Sequence, residues 1–82
     1  MRTWIALLRG INVGGRNSVP MSTLTSILEA HGCKSVRTYI QSGNAIFESS
    51  VRSKSVLSQR LGEAIEMQFG FRPSILLLTD AE

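Results

Sequence analysis

Cysteine is almost absent from this sequence. Cys33 is the only one, so no internal disulfide can form, and a disulfide-stapled secreted scaffold is excluded. Proline occurs twice, at Pro20 and Pro73. Aromatic residues make up only 6%. No run of like charges appears, so there is no basic or acidic tail. No apolar run approaches membrane-spanning length. The apolar stretch Trp4 to Leu8 is too short for a signal-peptide core, and Arg9 ends it without a small-residue cleavage site. These absences together point to a cytoplasmic protein.

What is present suits one compact domain. The chain has 82 residues, of which 43% are hydrophobic, an ordinary share for a globular fold. Nine basic and six acidic side chains give a formal charge of +3. That balance permits anionic partners without requiring them.

Periodicity supplies the elements. Thr3 to Leu8 reads as a first strand, closed by Arg9-Gly10. A polar, glycine-rich loop runs from Arg9 to Ser18. Met21, Leu24, Ile27, Leu28 and His31 then recur three and four apart, the stripe of an amphipathic helix with Pro20 near its start and Gly32 past its end. Lys34 to Ile40 is a second strand with Val36, Thr38 and Ile40 on one face. Gln41-Ser42-Gly43-Asn44 is turn chemistry, and Ala45 to Ser49 a third strand. A second helix spans about Ser53 to Phe69, with Val56, Leu57, Leu61, Ala64, Ile65 and Phe69 as its apolar stripe and Gly70 as its stop. Pro73 to Thr79 is the fourth strand.

The order β-α-β-β-α-β, with right-handed crossovers, predicts an α+β ferredoxin-like domain over residues 1–82. Its four-stranded antiparallel sheet should carry both helices on one face. Two features point beyond that unit. Strands one and four are apolar at nearly every position, although a sheet with one wet face should alternate. Their outer face is therefore expected to meet a further domain, a second copy or a ligand. Thr79-Asp80-Ala81-Glu82 also has the form of a capping box that opens a helix, so the domain is expected to be the N-terminal half of a longer protein, divided near Thr79.

Two long motifs carry a resemblance. Trp4-Ile5-Ala6-Leu7-Leu8-Arg9-Gly10-Ile11-Asn12-Val13-Gly14-Gly15, continued by Arg16-Asn17 and Val19-Pro20-Met21, resembles the opening of an uncharacterised bacterial domain-of-unknown-function family. Val36-Arg37-Thr38-Tyr39-Ile40-Gln41-Ser42-Gly43-Asn44 and Phe47-Glu48-Ser49 extend the likeness over the whole chain. Tyrosine at position 4 and lysine at position 16 are commoner in that pattern. The resemblance implies a ferredoxin-like first half of a chain about twice this long. It brings no established activity, and so no catalytic residue and no cofactor.

Topology gives the best functional clue. Strand one should end at the sheet edge where strand two turns into strand three. The loop and the turn would then gather Arg9, Asn12, Gly14, Gly15, Arg16, Asn17, Gln41, Ser42 and Asn44 near a helix N-terminus. Guanidinium groups, amides and glycine-exposed N–H groups suit an anion, such as the phosphate of a small molecule or a nucleic acid. The same residues also serve a plain structured loop, in which glycines turn the chain and Asn and Ser side chains satisfy local backbone groups. Gly10 to Asn17 imitates a P-loop, but Arg16 and Asn17 replace the lysine and the Mg²⁺-binding hydroxyl, and the predicted sheet is antiparallel.

Other candidates are weaker. An RNA-recognition module shares this topology, with Trp4, Phe47 and Tyr39 as possible stacking residues, yet Ser42 to Glu48 lacks the aromatic-rich signature. Structural packing suits Trp4 and Phe47 better. One His31 and one Cys33 do not make a closed zinc site. Glu63 and Glu66 fit a solvated helix face. Three readings follow: a binding module, half of an enzyme site completed by further chain, and a dimerisation unit using the apolar sheet face.

Overall fold

The computed structural model describes residues 1–11, 18–39 and 43–79. Its elements are β1 (Arg2–Arg9), α1 (Met21–Ala30), β2 (Lys34–Tyr39), β3 (Asn44–Ser49), α2 (Lys54–Phe69) and β4 (Ser74–Thr79). The strands form one antiparallel sheet in the order β2-β3-β1-β4. This is the ferredoxin-like α+β arrangement. The strand limits exceed the sequence reading slightly: β1 takes in Arg2 and Arg9, and β3 begins at Asn44. Ile40, placed in the second strand by the sequence, lies outside the described residues.

Alternation along the strands sorts the two faces of the sheet. Trp4, Ala6 and Leu8 of β1, Ala45 and Phe47 of β3 and Leu77 of β4 point toward the helices and are buried. They share one core with Met21, Leu24 and Leu28 of α1 and Leu57, Leu61 and Ile65 of α2. Val19 and Ile11 plug its end. The Trp4 indole Nε1–H donates to the Val51 carbonyl at 3.2 Å, so its polar tip is satisfied while its body packs. Phe47 is 0% exposed. Neither ring can stack a base on the open face of the sheet.

Helix limits follow local chemistry. The Ser53 side chain accepts from Val56 N–H at 3.3 Å and caps α2, and Gly70 ends it with φ of 82°. Burial departs from the predicted stripes at a few places. Val56 is exposed, while Gly62 is buried because the stem of Arg72 lies against it. His31 sits past the end of α1 as its C-cap and is exposed. The β2–β3 register shifts between Lys34 and Arg37, where Ser35 has φ of 54°. Among the described residues, no helix is long and apolar enough to cross a membrane.

Candidate functional site

The end of β1 and the start of β3 are joined directly. Leu7 pairs with Asn44, and Leu8 N–H donates to the Gly43 carbonyl at 2.9 Å. Gly43 adopts φ of 64°, and a Cβ there would stand 2.8 Å from the Leu8 carbonyl oxygen and 3.1 Å from Ile11 Cδ1. Only glycine permits this approach. It holds Gly43, just before β3, against Leu8 and Ile11.

α1 starts at this same end. Its C-terminus leads into β2, whose first residue Lys34 pairs with Glu48, far along β3 from Asn44. The N-terminus of α1 therefore lies toward the Tyr39–Asn44 pair. Pro20 is its N-cap, with extended backbone and no side-chain cap, and no acidic residue occupies the first turn. The positive end of the helix dipole there favours negative charge.

Of the nine residues singled out from the sequence, two are described. Arg9 closes β1, pairs with Ser74 and is exposed. Asn44 opens β3 between Leu7 and Tyr39 and is half-buried. Asn12, Gly14, Gly15, Arg16, Asn17, Gln41 and Ser42 lie outside the described residues. The hollows of the described surface are elsewhere. One of about 500 Å³ runs beside β4, lined by Lys54, Ser55, Ser58 and Ile75 to Leu78. Another, of about 330 Å³ at the opposite end of the sheet, is lined by Met1, Arg2, Ser49, Ser50 and Arg52. The sequence reading missed that basic hollow. The register Arg2↔Ser49 brings its parts together, a pairing of distant residues that no local motif signals.

The remaining candidates have structural roles. Cys33 is buried, and burial pushes its thiol up to about 11, away from the thiolate a nucleophile needs. Glu63 accepts from Gln59 Nε2 at 3.1 Å, and Glu66 pairs with Arg72 at 3.0 Å, both on the solvated face of α2. Among the described residues no three His, Cys, Asp or Glu side chains gather in a way that could hold a metal.

The outer face of the sheet is apolar at its centre. Ile5 pairs with Ile46 on one side and Leu78 on the other, and Leu7 pairs with Leu76. Tyr39, Arg37, Glu48 and Thr3 surround this patch. Leu76 is 51% exposed.

Comparison with known proteins agrees with the fold. The model of a family described as a protein of unknown function (DUF1697) matches residues 1–82, and the chain belongs to that family. The chain is also similar to a solved structure, the conserved bacterial protein SP0830 from Streptococcus pneumoniae. The two share 38% identity with a TM-score of 0.81 over 95% of this chain. The match covers 43% of that protein, so this chain spans less than half its length. No curated protein matches the sequence.

Proposed function

We propose that this member of the DUF1697 family is a binding module for a phosphate-bearing ligand. Its site would lie where the β1–α1 loop meets the β2–β3 turn. Arg9 and Arg16 supply charge, while Asn12, Asn17, Gln41, Ser42 and Asn44 supply hydrogen bonds. Gly14 and Gly15 let backbone N–H groups approach the anion. One observation carries the reading: the Leu8 N–H to Gly43 carbonyl bond, which pins the turn beside the end of β1. A rigid sheet end of this kind is what a binding loop needs as a platform.

The test is a backbone amide NMR titration with inorganic phosphate, nucleotides, sugar phosphates and short RNAs. Shifts should be confined to residues 9–18 and 41–44. The double substitution Arg9→Ala with Arg16→Ala should abolish them while the spectrum stays folded. Unchanged affinity in that variant refutes the reading.

A second reading rests on the length of the solved relative, of which this chain spans 43%. There the same residues form an anion clamp, and the remainder of a longer chain contributes an acid or base. Under that reading the 82-residue chain stays silent in the titration and a longer family member responds. The apolar outer face of the sheet then serves as the seat of the further domain.

A further inference from the structure

We infer that the hollow at the start of β1, lined by Met1, Arg2, Ser49, Ser50 and Arg52, binds a small dicarboxylate. Arg2 pairs with Ser49 at one end of the β1–β3 ladder, and Leu7 pairs with Asn44 at the other. The hollow is therefore separate from the loop site proposed above. Its lining carries two guanidinium groups, two serine hydroxyls and no carboxylate. Glu48, the acid nearest to it in sequence, faces the outer side of the sheet, where it lies opposite Thr3 and accepts the Ser35 hydroxyl. Among the described residues, neither Arg2 nor Arg52 has a carboxylate partner.

Three contacts build the cradle before any ligand arrives. The Arg2 guanidinium stands 6.0 Å from the centroid of the Trp4 ring, which holds the cation without neutralising it. The Trp4 indole donates to the Val51 carbonyl at 3.2 Å, and Val51 N–H donates to the Ser49 hydroxyl at 3.1 Å. Arg2, Ser49 and the segment carrying Ser50 and Arg52 are thus tied together through Trp4 and Val51. Preorganisation of this kind lowers the cost of binding. Ser49 is 2% exposed and lines the hollow. Its hydroxyl accepts from Val51, but its own proton finds no acceptor among the described residues. An anion in the hollow would complete that buried donor.

The donors select carboxylate over phosphate. Phosphate sites draw on converging backbone N–H groups in glycine-rich turns. No glycine occurs between Gly43 and Gly62. Val51 N–H is spent on Ser49, and Val56 N–H, in the first turn of α2, is spent on Ser53. What remains are two planar guanidinium forks, each matched to the two oxygens of one carboxylate, with hydroxyls beside them. Two fixed positive charges call for two negative ones. The first turn of α2, directly after Arg52 and Ser53, holds no acidic residue, so its dipole adds to the positive field. A volume of about 330 Å³ is at the small end of ligand sites and suits a short spacer between the two carboxylates.

The test is an NMR titration of the chain with glutarate, set against acetate at matched ionic strength. Saturable shifts should appear at Arg2, at Ser49 to Arg52 and at the Trp4 indole N–H. Acetate should bind roughly tenfold more weakly, because it fills one fork. Arg2→Lys with Arg52→Lys keeps both charges and removes both forks, and both positions are exposed, so the fold should persist. Glutarate affinity in that variant should fall by roughly tenfold. Inorganic phosphate should not displace glutarate. Asp80 and Glu82 follow β4 in the sequence and are the chain's own competing carboxylates, so Asp80→Asn with Glu82→Gln should leave glutarate affinity equal or higher. The absence of saturable shifts overturns the inference, as does an equal response to acetate and glutarate. A lysine variant as tight as the unmodified chain also overturns it, and shows an adventitious ion only. Displacement by phosphate, weaker binding once Asp80 and Glu82 are neutralised, or capture of a glutamate-rich peptide but not glutarate has the same consequence.

Discussion

Replacing Gly43 by alanine tests how firmly the β2–β3 turn is held against β1. Two costs arise. The first is conformational, because a φ of 64° places an L side chain in the left-handed region at about 1–2 kcal/mol. The second is steric, because the new Cβ would stand 2.8 Å from the Leu8 carbonyl oxygen. The obstacle is backbone, so it cannot swing aside as a flexible side chain would. Relief requires the strand ends to part, which strains the 2.9 Å bond from Leu8 N–H to Gly43. Forced overpacking of this kind costs about 1–3 kcal/mol more. Gly10 provides the control, with φ of 80° and nothing within 4 Å of the Cβ that alanine would add. Gly10→Ala carries the first cost without the second. Both variants gain the same unfolded-state benefit of alanine, so it cancels in the comparison. Urea unfolding should show Gly43→Ala less stable than Gly10→Ala by about 1–3 kcal/mol at unchanged m-value. Equal losses would show that the turn yields freely, and the platform argument for the anion site would fall with it.

Two further outcomes follow from the core. Phe47→Ala empties a site with 0% exposure at the centre of the sheet, and chemical denaturation should register a loss of about 3–5 kcal/mol. Burial raises the Cys33 thiol from 9.0 to about 11, so the folded chain holds that proton more tightly than the unfolded chain. The associated stability is complete below about 9 and declines as pH rises toward about 11. Cys33→Ala should flatten that part of the stability profile relative to the unmodified chain, and equal slopes would refute the assignment.

The order of elements was legible because each one announces itself locally. Leu24 and Leu28 repeat at helical spacing, Gly70 stops α2 in a left-handed conformation, and Trp4, Ala6 and Leu8 alternate with Ile5 and Leu7. The meeting of the β1 end with Gly43 was legible too, since it follows from topology alone. Features set by distant partners were not. Nothing in Lys34 to Tyr39 signals the irregularity at Ser35, whose hydroxyl donates to the Glu48 carboxylate at 3.1 Å from the neighbouring strand. Val56 matched the apolar period of α2 yet is exposed. Gly62, outside that apolar period, is buried with the stem of Arg72, from beyond the helix, lying against it. The glycine-rich loop carries residue types suited to an anion but no periodicity, so sequence could name its members without fixing their arrangement.

The apolar excess of β1 and β4 separates into two demands once the register is known. On the inner side, Trp4, Ala6, Leu8 and Leu77 are consumed by the helices and stabilise the domain itself. On the outer side, Ile5, Leu7, Ile46, Leu76 and Leu78 add little to that core. These outer residues lie at the centre of the face, with Ile5, Leu7 and Ile46 on the two inner strands. Under the second reading proposed above, a further domain seated on the face would cover them, and the additional chain carried by the solved relative, of which this domain spans 43%, is of sufficient length to form one.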